Sequence, residues 1–456
     1  MWIAPLSWAS GQSLLAKGFA TSVLMALLTL SWGASPPIVL TALASVLALA
    51  MLGLVVARSL VGPLGHRSGL PQCREVLGGE PLVWMSLSLF AWLSLSVLWS
   101  VGPVQEIVES WSRYRRWAYV VLLSLGLVLL LARTSAKWCD DFYDRAWKFF
   151  FWGLVFNAAV AWAIYAGLFQ ALFGLRADRV HVIDWLGLFQ FSLPAASNPS
   201  FGQSHISVST FLVIGATGLV HRYFRYQQLL ALIGAMFLGL TVLLLQSRTG
   251  YLLLGIALVL WLWHWWSRRR QTGSRAFLIA LAIAVALATP LADQVRHRAA
   301  EAVSDVTNYV GRSDAVAQTS QAIRIDFWRS SLEMPQGSDW LVGVGVGGYA
   351  QAYRGLHGRE PLDGSGQPHS EYLAMLTQGG LIGLSLWLAI LLRAYWLSRR
   401  YGLGFESHAL LLVAVSGLFN SIMWNREEGH FLALLLALLA SRAGLWALKG
   451  REQGMG

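Results

Sequence analysis

A few cationic side chains stand where they could do chemistry, at the ends of apolar runs. Arg248 lies in Q-S-R-T-G, residues 246–250, between two such runs with no room for a real loop. It therefore sits in a tight turn at or below a membrane surface, where a charge is costly and marks a paired or functional site. Snorkelling to lipid headgroups is the plainer reading of the same position. His369 lies in P-H-S-E-Y-L, 368–373, at the lip of another apolar run; imidazole is the side chain that titrates near neutral pH. Arg176 and Arg179 are one helical turn apart, so on a helix they face one site, although a solvated pair would look the same. Arginine's planar fork matches two phosphate oxygens at once, whereas lysine is a point charge.

The elements that must position these groups are membrane helices. The chain has 456 residues, 56% hydrophobic and only 12% charged, with a mean hydropathy of +0.54. A soluble protein carries about 25% charged residues, and about 20 apolar residues cross a bilayer core. Twelve spans are expected, near 14–33, 36–57, 81–101, 117–132, 146–168, 203–220, 229–246, 250–266, 276–290, 371–396, 408–424 and 430–448. The first lacks a strongly basic leader and is followed at once by another span, so it reads as a retained helix and not as a signal peptide. Cations near span ends favour the cytoplasmic side, and with the N-terminus inside they divide twenty to fourteen. All four lysines then lie inside, and all fourteen outer cations are arginine. The basic balance of +11 follows from this topology and is not a nucleic-acid signal. Cys73 and Cys139 form neither a disulfide framework nor a metal spacing.

The chain thus divides into spans one to nine (1–290), a large outer loop (291–370), and spans ten to twelve with the C-terminus (371–456). The loop holds nine acids and seven arginines. It opens with Val295, Ala299, Val303, Val306 and Val310 at helical spacing, beside Arg296, His297 and Arg298. A second helical piece carries Ile323, Phe327 and Trp328 for packing, with Arg324, Asp326 and Arg329 among them. The run G-V-G-V-G-G, 343–348, lacks the G-K-[ST] ending of a phosphate loop. It reads as a plain turn, with phosphate binding through its N–H groups as the alternative. Elsewhere on this face, Arg113, Arg115 and Arg116 stand beside Trp111 and Tyr114, fitting interfacial anchoring or an anionic-lipid surface. The stretch 169–203 is expected to be an amphipathic or re-entrant piece.

Taken in order, S-R-T-G at 247–250, R-x-x-x-W at 324–328 with the Gly-rich turn after it, and H-S-E-Y-L with G-G-L-I-G-L form a pattern. It resembles the bacterial O-antigen ligase/polymerase superfamily of polytopic glycosyltransferases. Ser370 departs from that pattern, which often has Asn after the histidine, and leaves the role of His369 standing. The resemblance implies an all-α, GT-C-like membrane protein of about twelve helices with one large helical periplasmic loop. It implies a bacterial inner-membrane enzyme with its active site facing the periplasm. The implied donor is an undecaprenyl-pyrophosphate-linked O-antigen and the implied acceptor the lipid A–core oligosaccharide, with inversion and neither metal nor cofactor. Arg248 and Arg324 would hold the phosphates, supplying in a dry site the stabilisation a metal gives elsewhere. His369 would accept or orient the acceptor's proton. Glu371 is a candidate for tuning it, and Arg176, Arg179 and Arg329 for assisting substrate binding.

Alternatives within the superfamily are an O-antigen polymerase or a protein O-oligosaccharyltransferase. A lipid-linked glycan flippase would also suit twelve spans, but the halves show no clear repeat. Metal-dependent oligosaccharyltransferases place acids in the first outer loop, which here is S-W-G-A-S-P-P. Chelation with EDTA is therefore expected to leave glycan transfer unchanged. Strong inhibition relieved by an added divalent ion would overturn the arginine-only assignment.

Overall fold

The computed structural model describes every residue except 1–13, 33–34, 62–74, 77, 133, 173, 175, 177, 179, 186–188, 196–198, 201–203, 269–273, 311–319, 362–365 and 453–456. Each of the twelve expected spans is met by a helix: Leu14–Thr29, Ser35–Val61, Pro81–Leu95, Arg116–Leu131, Ala136–Tyr165, His205–Tyr226, Leu229–Leu244, Arg248–Arg268, Ser274–Ala288, Glu371–Arg400, Gly404–Phe419 and Arg426–Glu452. Among the described residues eight stretches are long and apolar enough to cross a membrane, and three more are shorter apolar helices. The remaining one, His205–Tyr226, has 22 residues, about 33 Å at 1.5 Å per residue. The protein is an all-α polytopic membrane protein in its body. A short antiparallel hairpin, His181–Trp185 with Phe189–Leu193, replaces the amphipathic or re-entrant piece expected in 169–203.

Burial follows the solvent on each side of a helix. Along Ser274–Ala288, Ile279, Ile283, Val285 and Leu287 are all more than half exposed, as suits a lipid-facing helix. His205–Tyr226 instead runs through the middle of the bundle, with an unbroken buried stretch from Ser207 to Val220. A helix satisfies its backbone groups within its own segment, so it can present such apolar surface to hydrocarbon.

The loop 291–370 forms two longer helices, Ala292–Val310 and Ser320–Glu333, as the spacing of their apolar residues predicts. It then folds back into the bundle. The Gly-rich run is a strap threaded between helices; it turns where the Gly348 N–H donates to the Gly345 carbonyl at 3.0 Å, and its other donors do not form a phosphate cradle. The N–H of Val344 donates to the Thr377 carbonyl at 2.8 Å, and that of Val346 to Ser96 Oγ at 3.2 Å. The N–H of Gly347 donates to Gln378 Oε1 at 3.0 Å. Donors committed to protein oxygens are not open to a phosphate. Gly345 lies at φ +84°, and a β-carbon there would sit 2.5 Å from Ser100 Cα.

Opposite the strap, the helix Glu371–Arg400 is broken at Gly380, whose φ is +65° and ψ −167°. A β-carbon on Gly380 would run into the carbonyl of Leu341, so glycine meets both the conformational and the steric demand. Trp92 and Trp99 close the joint by donating their indole N–H groups to the carbonyls of Gly379 and Gly343. Gly380→Ala is expected to lower stability by more than about 2 kcal/mol, combining strain with a clash. Thermal unfolding in detergent would check this against Gly255→Ala, where an added β-carbon meets nothing within 4 Å.

Candidate active site

Arg248 begins its helix directly after a sharp corner. Gln246 has a φ of +52°, and Ser247 Oγ caps the new helix by accepting the Gly250 N–H at 3.1 Å. The cap fixes where the guanidinium emerges, at the bundle end that carries the loop. There Arg248 is only 24% exposed and donates to Glu301 Oε2 at 3.3 Å. The same carboxylate accepts from Arg298 at 2.9 Å and meets His297 at 3.2 Å, while Arg298 also donates to Gln246 Oε1. Glu301 of the loop thus ties Arg248 to the helix Ala292–Val310. The helical repeat predicts that helix, but neither Glu301 nor Arg298 stood out as an anchor, because a lone acid among alanines carries no motif.

Arg324 stands on the next helix, half-buried, and has no carboxylate partner among the described residues. Burial, and then the like charge of Arg248, pull its guanidinium below the ordinary arginine value. Two guanidiniums that feel one another, one anchored and one without a counter-ion, make a local excess of positive charge.

One turn further along, Phe327 is fully buried and anchors the helix on Met334, Tyr349 and Tyr353. Its ring stacks on His369, with centroids 5.9 Å apart and planes within 10°. His369 has a φ of +53°, a left-handed conformation that non-glycine residues seldom hold except at turns and functional sites. Gln367, 4% exposed, grips it twice. Gln367 Oε1 accepts the His369 backbone N–H at 2.9 Å, and Gln367 Nε2 lies 3.0 Å from Nδ1 of the ring. A single helix, Ser320–Glu333, therefore links the arginine pair to the histidine.

The remaining candidates fall elsewhere. Glu371 is buried, and its carboxylate turns into the bundle to accept the Met423 N–H at 2.9 Å; the residue at the imidazole is Gln367 instead. Arg329 lies five residues beyond Arg324, about 140° round the helix. It is 73% exposed and paired with Glu333 at 2.7 Å. Arg176 lies outside any helix and pairs with Asp178 in solvent, so the shared helical face expected for it does not form. Arg179 lies outside the described residues.

Arg116 has another part to play than either reading of the Arg113–Arg116 group. It is 3% exposed and donates to the carbonyls of Met423 and Asn425, clamping the turn before the last helix. Arg113 pairs with Glu109 and lies over the Trp424 ring.

The family model described as O-Antigen ligase matches residues 233–388. That window, about a third of the chain, holds Arg248, Glu301, Arg324, the Gly-rich strap and His369. This match places the segment 233–388 in the O-antigen ligase/polymerase superfamily. Among curated proteins none matches the chain. The match supports a membrane enzyme of glycosyltransferase type. The arginine pair, the strap and the histidine of this ligase/polymerase fold all come from the matched segment. The Arg116 clamp lies outside that segment.

Because Glu301 holds Arg248 in place, Glu301→Ala is expected to slow transfer by about ten- to a hundredfold through misplacement alone. Arg298→Ala should cost less, since Arg248 keeps its carboxylate. Steady-state transfer assays on the two variants would check this order.

Proposed function

We propose that the protein is an O-antigen ligase. In this reading it transfers a polysaccharide from undecaprenyl pyrophosphate to the lipid A–core oligosaccharide on the periplasmic face of the inner membrane. The observation that carries it is the half-buried Arg324, without a carboxylate partner beside Arg248, in a segment matched by the O-Antigen ligase family model.

The chemistry follows from the leaving group. Attack by an acceptor hydroxyl on the anomeric carbon forms one C–O bond and breaks the C–O bond to phosphate. Charge gathers on the departing pyrophosphate, and preorganised guanidiniums in a site of restricted water stabilise it as it forms. Among the described residues Arg324 has no carboxylate on its fork, and it takes phosphate oxygens most directly. Arg248, held by Glu301, supplies a second fixed charge. His369 receives or orients the proton of the attacking hydroxyl, and backside attack inverts the anomeric centre.

Purified protein supplied with the lipid-linked glycan and rough lipopolysaccharide is expected to yield ladder-type lipopolysaccharide. His369→Ala, Arg248→Ala and Arg324→Ala should each abolish the ladder while leaving the protein folded, and Arg→Lys should rescue little because lysine lacks the fork. Full activity in any alanine variant would remove that residue from the mechanism. Product formed only between lipid-linked glycans would make the enzyme a polymerase.

A further inference from the structure

Arg116 and Glu371 converge on one short turn, residues 420–425, at the bundle end that carries the loop. Glu371 Oε2 accepts the Met423 N–H at 2.9 Å, and Arg116 donates to the carbonyls of Met423 and Asn425. From the last helix, Glu428 accepts Asn420 Nδ2 on both oxygens, at 2.9 and 2.7 Å, and Asn425 Nδ2 at 3.1 Å. Arg116, Glu371 and Glu428 are each no more than 3% exposed. Buried ionisable groups are costly wherever they stand, and here three of them hold a single turn. The large side chain that this turn keeps only half-buried is Trp424.

Trp424 lines a partly open cavity of about 110 Å³ with Glu106, Glu109 and Ser110 of the helix Val104–Tyr114, and with Glu360 and Gly366 of the loop. The helix sets its three residues three and four apart, on one face. Arg354 bridges Glu106 at 3.2 Å and Glu360 at 2.9 Å. Arg113 pairs with Glu109 at 2.9 Å and lies over the Trp424 ring. A β-carbon on Gly366 would lie 3.4 Å from Trp424 Cη2, so the indole edge meets the loop there. Three carboxylates against two guanidiniums leave no excess of positive charge, the reverse of the Arg248–Arg324 pair. Carboxylates held by arginines are oriented acceptors for hydroxyl groups, and an indole adds an apolar face and an N–H. A neutral sugar ring, with C–H faces and a rim of hydroxyls, matches both.

We propose that this cavity is a carbohydrate-binding site, distinct from the arginine pair, that seats one uncharged sugar ring of a glycan substrate against Trp424. The proposal rests on the reading of the protein as a glycan transferase. The cavity is smaller than the roughly 300 Å³ at which whole-ligand pockets begin, so it takes a single ring of a longer chain. Gly366 stands three residues before His369, so the segment that walls the cavity also carries the histidine. A ring seated there tethers its chain beside that segment and raises the effective concentration of the reacting group. Acceptor oligosaccharide and donor glycan both offer such a ring.

Saturation-transfer NMR on the full-length protein in nanodiscs tests the site without reference to transfer. The probes are the neutral methyl glycosides of glucose, galactose and N-acetylglucosamine, with methyl glucuronide as the charged comparison. Trp424→Ala should weaken binding of a neutral glycoside about tenfold and leave any glucuronide signal unchanged. Glu360→Ala, at a side chain 68% exposed where folding is safe, should weaken the same glycoside severalfold by removing a charged acceptor. Wild-type protein that binds none of the neutral glycosides overturns the proposal, as does binding that neither variant changes. Loss of the glucuronide signal alone in Trp424→Ala overturns it too. In transfer assays, Trp424→Ala should raise one KM about tenfold with kcat retained. A rise in the acceptor's KM assigns the ring to the acceptor oligosaccharide, and a rise in the donor's KM assigns it to the donor glycan. Both KM values unchanged would overturn the proposal while leaving the transferase reading intact. If no glycan is transferred at all, that reading fails and the binding spectra still decide the site.

Discussion

The broken helix at Gly380 and the glycine strap that fills the break are the joint on which the rest of the loop depends. Strap and helix approach so closely that glycine is required on both sides, and the strap's N–H groups are bound to the helices it crosses. The helix Tyr349–His357 follows directly from the strap. Its Tyr349 and Tyr353 then form the wall against which Phe327 packs. Phe327 in turn supports the ring of His369. A chain of rigid contacts thus runs from inside the bundle to the imidazole. A flexible loop would not hold a histidine in a left-handed conformation.

The arginine side of the site is built on a different principle. Arg248 is placed by a capped helix start and a shared carboxylate, with little hydrophobic burial of its own. Arg324 is placed by the packing of Phe327 one turn away, leaving its guanidinium free of any described acid. One cation neutralised and one without a counter-ion among the described residues is an arrangement suited to an anion. The surrounding protein bears the cost of keeping that charge half-buried, which is why strong helix anchoring accompanies it.

Several features of this site were legible in the sequence, for identifiable reasons. Arg248 stood out because a charge between two spans is expensive wherever it occurs. His369 stood out because it closes the loop at the start of a span. Gln367 and Glu301 did not, since glutamine and glutamate in a polar loop are ordinary, and their value lies in contacts across two and 53 residues. Arg116 was read among its neighbours as a surface group, because a run of arginines beside tryptophan looks alike whether it faces lipid or the interior. The strap's packing is hidden in the sequence for a related reason. Glycines that open space for a ligand and glycines that let two backbones touch are spelled the same way.

The sequence by itself determined the twelve helices, the position of the long loop and the order of its motifs. These follow from the length and polarity of local segments, which the bilayer enforces residue by residue. It also carried the superfamily resemblance, because that rests on short ordered motifs. Only the tertiary structure decided which acid holds Arg248, that Arg324 has none among the described residues, and that Gln367 grips His369. Those are pairings between groups brought together by folding, and a hydrogen bond is a matter of ångströms and angles that no local pattern encodes.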